Sequence, residues 1–119
     1  MSESQGRRPI LTVRFYATVA GNEPVREWLL SLSRNDRRSV GEDIKTAQYG
    51  WPLGMPLIRK LEPGLWEVRS HIGDGIARVI FTVDGSLMVL LHGFVKKSQK
   101  APASDLKTAR QRLADLRKE

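Results

Sequence analysis

The feature that most constrains this fold is a change of hydrophobic period. From residue 65 to 95, apolar side chains recur at every second position and glycine-containing turns interrupt the pattern twice. "LWEVRSH" (65–71) and "GIARVIFTVD" (75–84) flank Gly73-Asp74-Gly75, and Asp84-Gly85 leads into "GSLMVLLHGFV" (85–95). Alternation of this kind suits half-buried strands, and Gly/Asp pairs supply the backbone freedom of tight turns. The segment therefore predicts an antiparallel meander. Its third strand is almost continuously apolar, as expected of a central strand covered on both faces. "LIRKLE" (57–62) is a further short strand candidate, so the meander has three or four strands.

The segments on either side follow other periods. "ILTVRFY" (10–16) alternates and reads as a strand. "GNEPVREWLLSL" (21–32) places Val25, Trp28, Leu29 and Leu32 at helical spacing, with Asn22 as the expected cap and Pro24 in the first turn. A second helix runs through 33–50. Ser33 and Asp36 approximate a capping box, Val40, Ile44 and Ala47 form its apolar stripe, and Gly50 stops it. "WPLGMP" (51–56) is a loop. At the end, Leu106, Ala109, Leu113 and Leu116 define a helix for which Ser104 is the expected cap.

Together these segments predict a small α+β domain of order β-α-α-β-β-β plus a C-terminal helix. One twisted, mainly antiparallel sheet carries two N-terminal helices and the C-terminal one. A single domain is expected over 10–119, preceded by a flexible N-terminal segment 1–9, and 119 residues suffice for one core.

Composition narrows the function. There is no cysteine, which removes disulfides, thiolate metal sites and cysteine nucleophiles. No apolar run approaches the roughly 20 residues of a membrane helix, and "MSESQGRRPI" lacks the apolar core of a secretory signal, so an intracellular protein with no membrane partner is expected. The net charge is +7 and the isoelectric point about 10.3, which points to an anionic partner, most commonly nucleic acid. From residue 96 onward eight cations oppose three acids, so the tail alone carries +5.

Strand parity then groups the charged residues. In "LWEVRSH", Glu67, Arg69 and His71 share one face, opposite Trp66, Val68 and Ser70. Arg78 falls between Ile76 and Ile80 and needs an anionic or hydrogen-bonded partner. His92, Phe94 and Lys96 share a face of the last strand, and Lys97 and Lys100 follow. Arg69, Arg78 and Lys96 or Lys97 would then line one face of the sheet, where guanidinium groups can hold phosphate through paired hydrogen bonds. Cleavage of RNA through its own 2′-OH requires a base, stabilisation of the charged phosphorane and an acid for the leaving oxygen. Arg69 and Arg78 suit the second task, Glu67 or His71 the first, and a lysine or His92 the third. No carboxylate–histidine spacing for a metal is present, and no cofactor is expected. The same residues also fit plainer roles: alternating charges as a solvated strand face, His92 as a semi-buried histidine, the 96–100 lysines as a polar exit from the sheet. Trp28, Trp51 and Trp66 fit core or core rim.

The strings Leu65-Trp66-Glu67-Val68-Arg69, Arg78-Val79-Ile80-Phe81 and His92-Gly93-Phe94-Val95-Lys96-Lys97-Ser98-Gln99-Lys100-Ala101-Pro102 together resemble the RelE/ParE toxin superfamily, and within it the HigB-like, phage-derived branch. The resemblance covers roughly residues 10–116 and implies a RelE-like domain. It implies the toxin of a type II toxin–antitoxin system: a cytoplasmic, metal-independent endoribonuclease (mRNA interferase) that inhibits translation by cleaving mRNA on the ribosome. A cognate antitoxin, expected to be a helix-turn-helix protein, would neutralise it, and the toxin–antitoxin complex would bind operator DNA. Carried over by position, Arg69, Arg78, Lys96 and Lys97 form the basic site; beside them Glu67 and His92 stand as catalytic candidates and Lys60, His71 and Lys100 as RNA-binding candidates. The tyrosine that some members place after the last strand is missing from 98–110, so Glu67, His71, His92 and Lys100 all remain open as acid or base. The alternative within the same resemblance is a ParE-like inhibitor of DNA gyrase, or an inactive protein that binds only nucleic acid or antitoxin. The presence of Arg69, Arg78 and the lysine exit favours the ribonuclease.

Overall fold

In a computed structural model of the chain, which describes residues 8–73, 75–96 and 103–118, the change of period marks the boundary between a helical and a sheet-forming half. The elements are β1 (Thr12–Phe15), α1 (Pro24–Ser31), α2 (Arg34–Gly50), β2 (Ile58–Glu62), β3 (Leu65–Ile72), β4 (Gly75–Asp84), β5 (Leu87–Lys96) and α3 (Ala103–Arg117). They build one five-stranded sheet in the order β1-β5-β4-β3-β2, antiparallel except for the parallel pair β1 and β5. The "LIRKLE" segment forms β2, so the meander has four strands, one more than the order β-α-α-β-β-β allows. The N-terminal segment assigned as flexible falls largely in residues 1–7, outside the described residues.

Both faces of the sheet are covered. On one, Val68, Ala77, Val79, Phe81, Met88 and Leu90 pack against Val25 of α1 and Val40, Ile44 and Ala47 of α2. On the other, Leu65, Ile80, Val89, Leu91 and Phe94 pack against Ala109 and Leu113 of α3. β5 is thus an interior strand, flanked by β1 and β4 and covered on both faces, which is why its sequence is apolar at nearly every position. The register shifts between Ile80 and Phe81, where Ile80 pairs with His92 and Phe81 with Leu90. This bulge lets Leu91 join the α3-side core while His92 keeps the parity of Phe94. Gly93 leaves room for α1: a Cβ there would lie 2.3 Å from the Trp28 ring.

Helix ends depart from expectation at two places. Ser33 caps α2 as expected, its hydroxyl accepting the Asp36 N–H at 3.2 Å. At α1, however, Glu23 holds the cap position without a side-chain bond. Pro24 fixes the helix start, and Asn22 instead closes a turn with Thr18, its N–H donating to Thr18 Oγ1 at 3.1 Å. Ser104 lies within α3, which begins one residue earlier at Ala103. No helix among the described residues is long and apolar enough to cross a membrane.

Candidate functional site

Antiparallel pairing converts the parity of each strand into rows across the sheet, because directly opposed residues share a face. On the α3 face, Arg59 of β2 pairs with Glu67 of β3, which pairs with Ile80 of β4 and, through it, with His92 of β5. The next row is Arg69, Arg78 and Phe94; the one beyond is His71, Ile76 and Lys96. Expected candidates from separate strands are therefore neighbours on one surface, positioned by ladder hydrogen bonds rather than by loops.

At its centre is a charge cluster. Glu67 Oε2 lies 3.5 Å from Arg78 Nη1, 3.9 Å from Arg69 Nε and 4.0 Å from Arg59 Nη1. The Glu67 and Arg78 side chains are fully buried, Arg69 is 20% exposed and Arg59 46%. These separations are ion-pair distances, longer than ordinary hydrogen bonds. Neither Glu67 oxygen has a hydrogen-bond partner among the described residues. Burial accordingly raises the Glu67 carboxyl above the ordinary carboxylate value, an effect opposed chiefly by Arg78 and then by Arg59 and Arg69. Burial also lowers Arg78 from the usual guanidinium value, with Glu67 opposing and Arg69 and Arg59 adding to the effect. Arg78 nonetheless keeps its charge.

The remaining expected residues divide. His71 is exposed and Lys96 half-buried, in the row beside Arg69 and Arg78. His92 shares the face but sits on β5, two strands from Glu67, about 10 Å at ordinary strand spacing. There it belongs to the docking of α3: its Nε2 lies 2.6 Å from Asp105 Oδ1, its Nδ1 lies 3.4 Å from Arg112 Nη1, and its ring stacks on Phe94. Lys60 is on the opposite face, its Nζ 5.7 Å from the centre of the Trp66 ring, which in turn meets Trp51 and Phe81. Lys97 and Lys100 fall outside the described residues.

Arg59 was not among the expected site residues. Parity within "LIRKLE" was the available signal: Ile58 enters the α1–α2 core and Leu61 the α3-side core. Arg59 therefore shares the α3 face and Lys60 does not. Among the described residues no three His, Asp or Glu side chains are grouped as a metal ion would require.

The sequence of residues 27–114 matches the family model for phage-derived protein Gp49-like (DUF891). The chain belongs to this Gp49-like family. The family lies within the RelE/ParE-like toxin superfamily, which is consistent with a toxin–antitoxin toxin whose partner is an antitoxin. A search of curated proteins finds no match to the chain.

Proposed function

We propose that this Gp49-like protein is an endoribonuclease toxin that cleaves mRNA on the ribosome and is held inactive by a cognate antitoxin. One observation carries this reading: three arginines from three adjacent strands surround a single buried carboxylate on one face of the sheet. Such a surface supplies more positive charge than Glu67 neutralises, at fixed positions, as phosphoryl chemistry demands. In the reaction the ribose 2′-oxygen bonds to phosphorus and the bond from phosphorus to the 5′-oxygen breaks. The products are a 2′,3′-cyclic phosphate and a 5′-hydroxyl. The net positive charge of the cluster stabilises the charge that grows on the equatorial oxygens. His71 is the exposed imidazole beside them, suited to take the 2′-OH proton, and Lys96 across the same row is suited to protonate the leaving oxygen. The antitoxin would present acidic groups to this face.

Purified protein added to programmed ribosomes should cut mRNA and leave 2′,3′-cyclic phosphate ends. Toxicity without mRNA cleavage would sink the ribonuclease reading, and inhibition of gyrase supercoiling in its place would establish the ParE-like alternative.

A further inference from the structure

The arginines of the cluster are not equivalent, and their burial separates them into two layers. A phosphate oxygen must come within hydrogen-bond distance of a guanidinium nitrogen, which a fully buried group cannot offer. Arg78 and Glu67 are both at 0% side-chain exposure, whereas Arg69 is at 20% and Arg59 at 46%. Only the last two of these four can meet a ligand from solvent.

Their donors are also uncommitted to Glu67. Arg59 Nη1 and Arg69 Nε stand 4.0 and 3.9 Å from the same oxygen, Oε2, beyond hydrogen-bond length. Arg69 Nε has no hydrogen-bond partner among the described residues, and Arg69 Nη1 makes only a 3.9 Å contact with Met55 Sδ. The two guanidinium groups converge from neighbouring strands, because Arg59 pairs with Glu67 and Arg69 lies two residues further along β3 on the same face. The charges beneath them balance: the Arg78 charge offsets that of Glu67, leaving the Arg59 and Arg69 charges for an incoming phosphodiester. Without that balance Glu67 would repel the phosphate.

We propose that Arg59 on the edge strand β2, together with Arg69, contacts the scissile RNA phosphate, and that the buried Glu67–Arg78 pair is a floor that positions both guanidinium groups. This assignment rests on the ribonuclease reading for its chemistry, but its RNA contact can be measured without cleavage. Arg59→Ala and Arg69→Ala should each lower the rate of ribosome-dependent cleavage by about 100- to 1000-fold, as loss of one transition-state donor does. On a single-stranded RNA methylated at its 2′-oxygens, which cannot react, each should also reduce the slope of log K against log salt by about 0.7. Wild-type cleavage and an unchanged slope in Arg59→Ala would overturn the proposal. If the wild-type protein cleaves nothing while Arg59→Ala still lowers the slope, the ribonuclease reading fails and the phosphate contact stands.

The floor has its own signature. Glu67→Gln removes the negative charge while keeping shape, so it should lower the rate of cleavage of bound RNA without weakening RNA binding. Equal loss of binding and rate would show a merely structural role and overturn this part. Should Glu67→Gln fail to fold, the double variant Glu67→Leu/Arg78→Met removes both floor charges at little cost in stability, and the same loss of cleavage rate without loss of RNA binding is expected.

Discussion

Replacing Arg78 with methionine tests whether the Glu67–Arg78 pair is held together as the geometry indicates. Methionine approximates the arginine stem in volume but leaves Glu67 fully buried beside a neutral group, with the Arg69 and Arg59 charges at 3.9 and 4.0 Å. Removing one partner of a buried ion pair costs about 3–5 kcal/mol, whereas replacing both with apolar groups is often neutral. Arg78→Met should therefore destabilise the fold by that amount. With urea slopes of about 1–3 kcal/mol per M, the midpoint should fall by at least about 1 M. The double variant Glu67→Leu/Arg78→Met should recover most of the loss.

The pH dependence supplies an independent check. Glu67 titrates above its unfolded value, so the folded protein takes up its proton more readily than the unfolded chain. That contribution to stability is complete below the ordinary carboxylate pKa and is lost as pH rises through the raised value. Arg78 is the largest opposing influence, so removing it moves the folded-state value higher and extends the loss. The penalty of Arg78→Met should consequently be larger near about pH 8 than near about pH 5. Urea unfolding followed by tryptophan fluorescence at both pH values measures each quantity. A double variant no more stable than Arg78→Met alone, or a penalty independent of pH, would refute the reasoning.

Three further outcomes are expected. Gly93→Ala would place a methyl group 2.3 Å from Trp28 Cε3, so it should cost about 1–3 kcal/mol of overpacking, and a Trp28→Leu background should relieve most of it in denaturation midpoints. Asp105→Ala removes the acceptor 2.6 Å from His92 and should cost about 1 kcal/mol, seen as faster hydrogen exchange confined to α3 and the end of β5. Lys60→Ala should cost about 0.5–1 kcal/mol by removing the cation over Trp66 while leaving the salt slope of RNA binding unchanged, because that side chain sits on the face opposite the arginines.

These outcomes trace where the sequence is informative. The period-two pattern of 65–95 set the meander and its faces, since one buried face fixes register and both buried faces remove the polar alternation, as in β5. The same parity places Glu67, Arg69 and Arg78 on one face of the sheet. It could not show that Arg78 and Glu67 lie at 0% exposure, because burial depends on what packs above a face and not on which face a residue occupies. His92 illustrates the same limit: parity placed it on the correct side, but two strands of lateral distance and the approach of Asp105 and Arg112 turned it towards α3.

The sharpest case is the choice between Arg59 and Lys60. Adjacent residues in a strand point to opposite faces, so reading a five-residue edge strand one position out moves a cation from one side of the sheet to the other. Parity is hard to read in an edge strand because solvent dilutes its apolar alternation, and here a register shift between Lys60 and Glu62 interrupts what remains. Ile58 and Leu61, three residues apart, serve opposite cores, which strict alternation does allow. Arg59 then falls on the side of Leu61, beside Glu67, where its long side chain can remain solvated at the tip while its charge bears on the buried carboxylate. A lysine there would retain the charge but lose the planar fork, so Arg59→Lys should preserve the salt slope while cleavage drops. Cleavage at the wild-type rate in Arg59→Lys would mean that position 59 contributes charge alone.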